Sequence, residues 1–488
     1  MSLTNIPLIR IPFVAVEIDN SNAQQGPTLQ EYTVGLIGQK LSTGTAVANQ
    51  KYSVTSDSQA DELFGEGSML AAMVKKYRAN NKVTRLRVIP LDDAGAAVAA
   101  TGSQLLAGTA TRAGTANLRL AGRAYQAAVD SGDTAAEVVS ALVAVVQADA
   151  NRLVNAAING STPEQLDFSA RHAGEVYNDI DFRFNYFDGE ELPQGISLGT
   201  KVAMAGGTAN PDVASAIAAI GDEQFNVIIN PYLDASNMAK LETELDSRFG
   251  PLVALEGQLV SAKAGDFSTL STLGNTRNSR HNSIAMAAGP TPAFEWASAM
   301  AGQIALNGQI DPARPFQTLT LSGVDAPEDS EQLDDNERNL LLFDGISTNK
   351  VQAGGVVAIE RMITTFQTNA FGSPDTSYLN LNSLLTLSYL RFDFRAQWSS
   401  KFPRHKLADD SGRAAPGQPI MTPKLAKSFA VDRFRAWERL GLVENIDQFK
   451  RDLIVQRSDV DPDRIEFLLP PDLINQLRVA AASMQFLS

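Results

Sequence analysis

The sequence predicts a multidomain chain of mixed α/β and α+β class. A parallel or mixed sheet flanked by helices forms its core, with an inserted β-rich protruding domain and extended N- and C-terminal arms. Three observations predict this. Strand-like and helix-like segments alternate from Asn210 to Met286, the pattern of βα units on a helix-covered sheet. Composition turns rich in Ala, Gly and Thr from Asp92 to about Gly207. Both ends carry β-forming runs set off by linker residues.

The first element is an arm, residues 1–26. Ile9 to Ile18 is rich in β-formers, but Pro7 and Pro12 interrupt it, which confines it to an edge or a crossing between bodies. Asp19 to Pro27 is a polar linker. The core is expected to be discontinuous, 27–94 and 208–475. Tyr32 to Gly38 reads as a strand, Ser58 to Arg78 as one helix, and Val83 to Ile89 as a strand ended by Pro90. In the inserted domain, 95–207, short β runs at Asn117–Leu120 and Phe182–Phe187 flank a helix from Thr134 to Ala150. Thr134 and Glu137 have capping-box spacing, and Gly206-Gly207 closes the module.

Beyond it, Asn210-Pro211 reads as an N-cap with proline at the first helical position, starting a helix to Ile220. A strand Phe225–Ile229, a helix Asp234–Phe249, a strand Leu252–Leu255, a helix Asp266–Leu273 and a strand Ser283–Met286 follow. Residues 322 to 336 read as an acidic loop. Thr376 to Ser399 reads as a long, largely buried helix. Thr422-Pro423 starts a helix to Leu440 that Gly441 ends. Strand signals follow at Asp452–Val455 and Ile465–Leu469, then Pro470-Pro471 and a final strand-like run, Leu477–Leu487, in the C-terminal arm, 476–488.

Composition narrows the function. Lys and Arg total 41 against 55 Asp and Glu, a net charge of −14 over 488 residues. That field repels nucleic acid and anionic membrane at long range, so neither is an expected direct partner. The absence of cysteine excludes disulfides, thiolate metal sites and cysteine nucleophiles. The N-terminus lacks the pattern of a secretory signal, and no stretch approaches the roughly 18 uninterrupted apolar residues of a membrane helix. The reading is a chain made and folded inside the cell.

Catalytic motifs are missing. There is no phosphate loop, since Gly35-Leu36-Ile37-Gly38-Gln39-Lys40 lacks the spacing, and no nucleophile elbow or dinucleotide fingerprint. His172, His281 and His405 are widely separated, so no metal site and no cofactor are expected. A triad would need His281 to meet residues such as Ser283 and Asp222; a polar histidine at a strand edge is the plainer reading. Asp334-Asp335 and Asp409-Asp410 are carboxylate pairs, read as solvated loops and not as metal or acid–base sites. The helix Pro423–Leu440 carries Lys424, Lys427, Arg433, Arg435 and Arg439. Leu425, Phe429, Ala436, Trp437 and Leu440 share its apolar face, with Lys424, Lys427 and Arg435 near the opposite one. That basic face is either solvated or a docking surface for an acidic partner.

Ala353 to Asp410 carries a resemblance. Ile359-Glu360-Arg361-Met362-Ile363-Thr364-Thr365 and Phe402-Pro403-Arg404-His405-Lys406-Leu407 resemble signatures of contractile tail sheath proteins of the Mu-like phage type. Asn336-Glu337-Arg338-Asn339, Asp344-Gly345-Ile346, Asp311-Pro312-Ala313-Arg314-Pro315 and Leu468 to Arg478 extend the likeness over nearly the whole chain. It is weakest across about 95 to 200. Sheath proteins contain a domain called subtilisin-like for its fold, but no protease motif is present here, so no catalytic residue is carried over.

The resemblance implies a structural virion protein, not an enzyme. Its subunits stack as hexameric rings in a helical tube around a tail tube, and contract from a metastable state to drive the tube through the host envelope for genome ejection. Its partners would be other copies of itself, the tail tube protein, and baseplate and tail terminator proteins, with assembly in the host bacterial cytoplasm. Terminal arms would add strands to neighbours' sheets, through Ile11, Phe13, Val14, Val16 and Ile18 at one end and Val479, Met484 and Phe486 at the other. The lone strand-like character of both ends agrees with this independently. Lys424, Lys427 and Arg435 are the candidate tube contacts. An α/β hydrolase and a surface lattice or adhesin protein are the competing readings.

Overall fold

The computed structural model describes residues 30–411 and 417–486. The expected N-terminal arm strand, with Ile11, Phe13, Val14, Val16 and Ile18, and the linker after it lie outside the described residues. The described chain forms two compact units. One is Glu31–Ser388 with the segment from Asn475, and the other is Gln30 with Tyr389–Ile474.

The first unit is built on an eight-stranded sheet. Its inner strands run parallel in the order Ile346–Gln352, Asn282–Ala287, Gln258–Ala264, Val227–Ile229, Thr33–Gln39 and Arg85–Leu91. Val356–Arg361 closes one edge and Tyr52–Ser53 the other, both antiparallel. Parallel strands are covered on both faces, and Val227–Ile229 and Asn282–Ala287 are buried throughout. Neighbouring side chains on a strand serve opposite faces. Leu36 joins the core formed with helices Met69–Asn80 and Ala293–Ile310. Ile37 joins the core with helices Ala214–Ile220 and Ala235–Phe249. The first pair of helices approaches closely at Gly302, where a Cβ would lie 3.1 Å from the Tyr77 carbonyl oxygen.

Between Leu91 and Val227 the strands pair with one another and not with this sheet. Ala99–Gly108, Gln165–Ala173, Val154–Ile158 and Ile196–Ala205 form one antiparallel sheet. Gly114–Leu120, Arg123–Val129 and Phe182–Phe184 form another. The helix Ala135–Ala148 carries the complete Thr134–Glu137 capping box. A bridge between Val98 and Thr208 joins the two connecting segments.

Several elements differ from expectation for identifiable reasons. Ser58–Arg78 is two helices, Asp57–Phe64 and Met69–Asn80, each capped by its own serine, Ser56 and Ser68. Gly65 and Gly67 between them adopt φ of 88° and 74°. Pro90 does not end its strand, because its carbonyl accepts from Asn49 N beyond the short edge strand. The missing N–H therefore falls on the side where no ladder bond is needed. Leu252–Leu255 is a turn in which Leu252 is 95% exposed, and the strand is Gln258–Ala264, whose polar Gln258 and Ser261 mask it. Asn210 caps no helix, since the helix starts at Ala214; its Oδ1 accepts from Glu175 N and its Nδ2 donates to Asp234 Oδ2. The acidic segment 322–336 contains a 3₁₀ turn, Asp329–Glu331, and the start of a helix, Asp335–Phe343.

The long helix spans Leu381–Lys401. It is mostly buried only in its first half and more exposed from Arg391 onward. In the second unit the helix Pro423–Arg439 begins as its cap chemistry predicts, with Thr422 Oγ1 accepting from Leu425 N. Its buried face is Ala426, Phe429, Ala430, Arg433, Phe434 and Trp437. Leu425 and Leu440, expected on that face, are exposed. Trp437 Nε1 donates to Asp393 Oδ2 at 2.7 Å, and Phe394, Trp398, Phe402, Phe429 and Phe467 pack edge to face and stacked. Ile454–Arg457 and Ile465–Leu468 form an antiparallel hairpin. The run from Leu477 to Phe486 forms no strand.

Candidate assembly surfaces

The residues that would support chemistry are placed as structural parts. His281 is 1% exposed. Its Nδ1–H donates to Gly257 O at 3.2 Å, and its Nε2 accepts from Arg280 Nε. The carboxylate beside it is that of Asp246, 3.7 Å from Nε2, not Asp222. The hydroxyl of Ser283 is buried without a hydrogen-bond partner. Ser283 Oγ makes no hydrogen bond to the His281 ring, and Ser279 Oγ accepts from the His281 backbone N–H at 3.2 Å, so the triad with Ser283 is not assembled. His281 does adjoin the strand edge, immediately before Asn282–Ala287, but it is buried there. His172 lies elsewhere, donating from Nδ1 to Asp93 and accepting from Met69 N at Nε2. His405 packs on Phe402. Among the described residues no group of three or more histidine and acidic side chains is arranged to hold a metal, and no helix is long and apolar enough to cross a membrane.

The acidic pairs are occupied. Asp334 is not a loop residue but an N-cap, accepting from Glu337 N in a full capping box. Asp335 pairs with Arg338 and Lys350. Asp409 pairs with Arg457, and Asp410 accepts from Lys424 N.

The surfaces left unoccupied are of two kinds. On the helix Pro423–Arg439, Lys424, Lys427 and Arg435 are exposed. Lys427 Nζ donates to Leu453 O at 2.9 Å. The Lys424 and Arg435 side chains have no acidic partner among the described residues. Arg433 differs from the other cations of this helix: it is buried against Asp393 and Asp432. The second kind is apolar. Leu477, Val479, Met484 and Phe486 are 78%, 82%, 94% and 86% exposed. They fall in two pairs at a spacing of two residues, as on one face of a strand. The hairpin Ile454–Arg457/Ile465–Leu468 pairs only with itself among the described strands, and Ile454 and Leu468 are exposed. The sequence marked both hairpin strands separately. Their shared open edges were not legible, because edges depend on what lies beside a strand in space.

Two family models match the chain: the phage tail sheath protein central domain over residues 206–365, and the phage tail sheath C-terminal domain over residues 373–487. The chain is 42% identical over 489 residues to the Mu-like prophage FluMu tail sheath protein of Haemophilus influenzae, covering 100% of this chain and 99% of that one. The chain belongs to the phage tail sheath family. Among solved structures, the sheath tail protein of Desulfitobacterium hafniense matches with a TM-score of 0.48 and 13% identity, over 95% of this chain and 100% of that one. That of Listeria innocua matches with a TM-score of 0.49 and 12% identity, over 93% and 94%. This sheath protein is therefore a structural component of a contractile tail and not an enzyme. The hydrolase and adhesin readings are set aside.

A structural role for His281 has a measurable consequence. Burial, and next the Arg280 charge, lower its pKa from 6.5 to about 4, against the opposing pull of the Gly257 carbonyl and Asp246. The folded value lies below the unfolded one, so acid favours the unfolded chain. The stabilisation is complete above the ordinary histidine pKa and is lost as pH falls through the folded value, on the order of 3 kcal/mol in all. H281N, which keeps a donor for Gly257 O, is expected to flatten the acid limb of a stability–pH profile. An acid limb identical to wild type would contradict this.

Proposed function

We propose that this sheath protein polymerises as hexameric rings stacked in a helical tube around a tail tube, and contracts to drive that tube through the host envelope. The observation that carries the proposal is the C-terminal run of exposed, alternately spaced apolar residues with no strand partner among the described residues. Such a run gains by adding to the edge of another copy's sheet, where main-chain hydrogen bonds fix register with little demand on side-chain identity. The open-edged hairpin Ile454–Arg457/Ile465–Leu468 is a suitable acceptor. An isolated two-stranded hairpin is marginal in water and gains from a third strand. A second arm, with Ile11, Phe13, Val14, Val16 and Ile18, would join from the other end. A contact that joins different surfaces of identical copies and does not close gives a helical filament.

In this reading Lys424, Lys427 and Arg435 face an acidic tail tube, and baseplate and terminator proteins cap the ends of the stack. Assembly takes place in the host bacterial cytoplasm. Contraction draws on an extended lattice less stable than the contracted one, with small gains per interface multiplied along the tube. No nucleotide or other cofactor enters.

Negative-stain microscopy of the full chain is expected to give hollow tubes or stacked rings, with and without added tail tubes. Deleting residues 1–18 or 477–488 is expected to abolish them while leaving folded protein. Persistent single subunits of the full chain even with tail tubes present would refute the proposal. The triple reversal of Lys424, Lys427 and Arg435 to Glu is expected to impair decoration of tail tubes. Decoration at the wild-type level would remove these residues from the tube interface.

A further inference from the structure

Most of the partly buried arginines of the first unit meet carboxylates. Arg119 meets Asp325, Arg183 meets Asp181 and Glu331, and Arg338 meets Glu360. Arg361 and Arg478 meet each other's surroundings instead. Arg361 ends the edge strand Val356–Arg361, and its Nη2 donates to Asn380 Oδ1 at 3.2 Å. Asn380 is held there by its bridge to Ile363. Arg478 lies at the root of the C-terminal run, anchored by Gln476 Nε2 donating to Ala313 O at 3.0 Å. Arg478 Nη2 reaches the same Asn380 oxygen at 3.4 Å and also Gln476 Oε1.

One neutral carbonyl oxygen therefore serves two guanidiniums, and the Nε of Arg361 is buried without any acceptor. Neither arginine has an ion-pair partner among the described residues. Like charges withdrawn from water without a counter-charge are costly, and a guanidinium fork is shaped for a carboxylate. Burial holds both groups below the ordinary arginine pKa, and the Arg361 charge adds to it for Arg478, which falls to about 10.

We propose that Arg361 and Arg478, set by Asn380, form a receptor for a carboxylate carried by a second copy of this chain. The inference rests on the sheath reading for the source of the carboxylate. Two features favour that source: the chain carries 55 acidic residues against 41 basic ones, and Arg478 opens the very segment assigned to subunit linkage. Docking a neighbour's carboxylate there would fix the direction in which the C-terminal run leaves the body.

The test compares the full-length chain with the R361Q/R478Q variant, with R478Q alone as a second variant should the double one not fold. Two quantities are measured: thermal unfolding of the unassembled protein in sodium acetate, chloride or phosphate at matched ionic strength, and the critical concentration for polymerisation. Acetate is expected to raise the melting temperature of the wild type and not of the variant. The variant's critical concentration is expected to rise roughly tenfold or more, the usual scale for losing one side of a desolvated charge contact. Polymerisation of the variant at the wild-type critical concentration overturns the proposal, as does acetate acting equally on both proteins. Stabilisation by phosphate alone overturns the carboxylate assignment. If the wild type never polymerises, the proposed self-assembly fails and with it the second copy as source, while the acetate response still decides whether the anion site exists.

Discussion

Backbone N–H and C=O groups along a strand edge must find partners, and this requirement governs the whole molecule. In the eight-stranded sheet of the first unit the parallel strands find partners on both sides within the chain. The parallel sheet would end in two open edges, and each is closed by an antiparallel strand, Val356–Arg361 on one side and Tyr52–Ser53 on the other. Even Pro90 fits, because its lost donor falls where the short edge strand has already ended. In the second unit the hairpin Ile454–Arg457/Ile465–Leu468 keeps both outer edges open among the described strands.

The eight-stranded sheet depends on burial of both its faces. Leu36 and Ile37, adjacent in sequence, serve opposite cores, and helices Met69–Asn80 and Ala293–Ile310 come close enough at Gly302 that a Cβ there would crowd the Tyr77 carbonyl oxygen at 3.1 Å. Ion pairs also reach into this body, as where buried Glu295 is favoured in its ionised form, against its burial, by Lys76 and Arg123. Polar residues that might suggest catalysis are absorbed in the same way. His281 shares its ring nitrogens with a carbonyl and a guanidinium, and Asp334 caps a helix.

Local chemistry was legible in the sequence wherever one residue decides an element. Thr134 with Glu137 and Thr422 with Pro423 cap the helices they announce, and Asp234 and Asp266, read as first helical residues, are the N-caps of theirs. Asp334 was misread although Glu337 stands three residues on, the same signal that identified Thr134. Other misses came from tertiary competition. Asn210 has the chemistry of a cap but is recruited by Glu175 and Asp234. Leu252–Leu255 has the apolarity of a strand, whereas the true strand hides behind Gln258 and Ser261. On the candidate surfaces, the exposure of Lys424, Lys427 and Arg435 follows from helical spacing, but the burial of Arg433 depends on Asp393, from a distant helix. The meeting of Arg361 with Arg478 had no sequence signal at all, because it is made by the return of the chain terminus to a strand end.

The most direct test of strand addition is hydrogen exchange at single-residue resolution, comparing unassembled and polymerised protein. The account predicts that amides from Leu477 to Phe486, and the outer-edge amides of Ile454–Arg457 or Ile465–Leu468, exchange freely in the single subunit. Both sets should become strongly protected together on assembly. Polymers in which the C-terminal amides still exchange as fast as in the single subunit would contradict it.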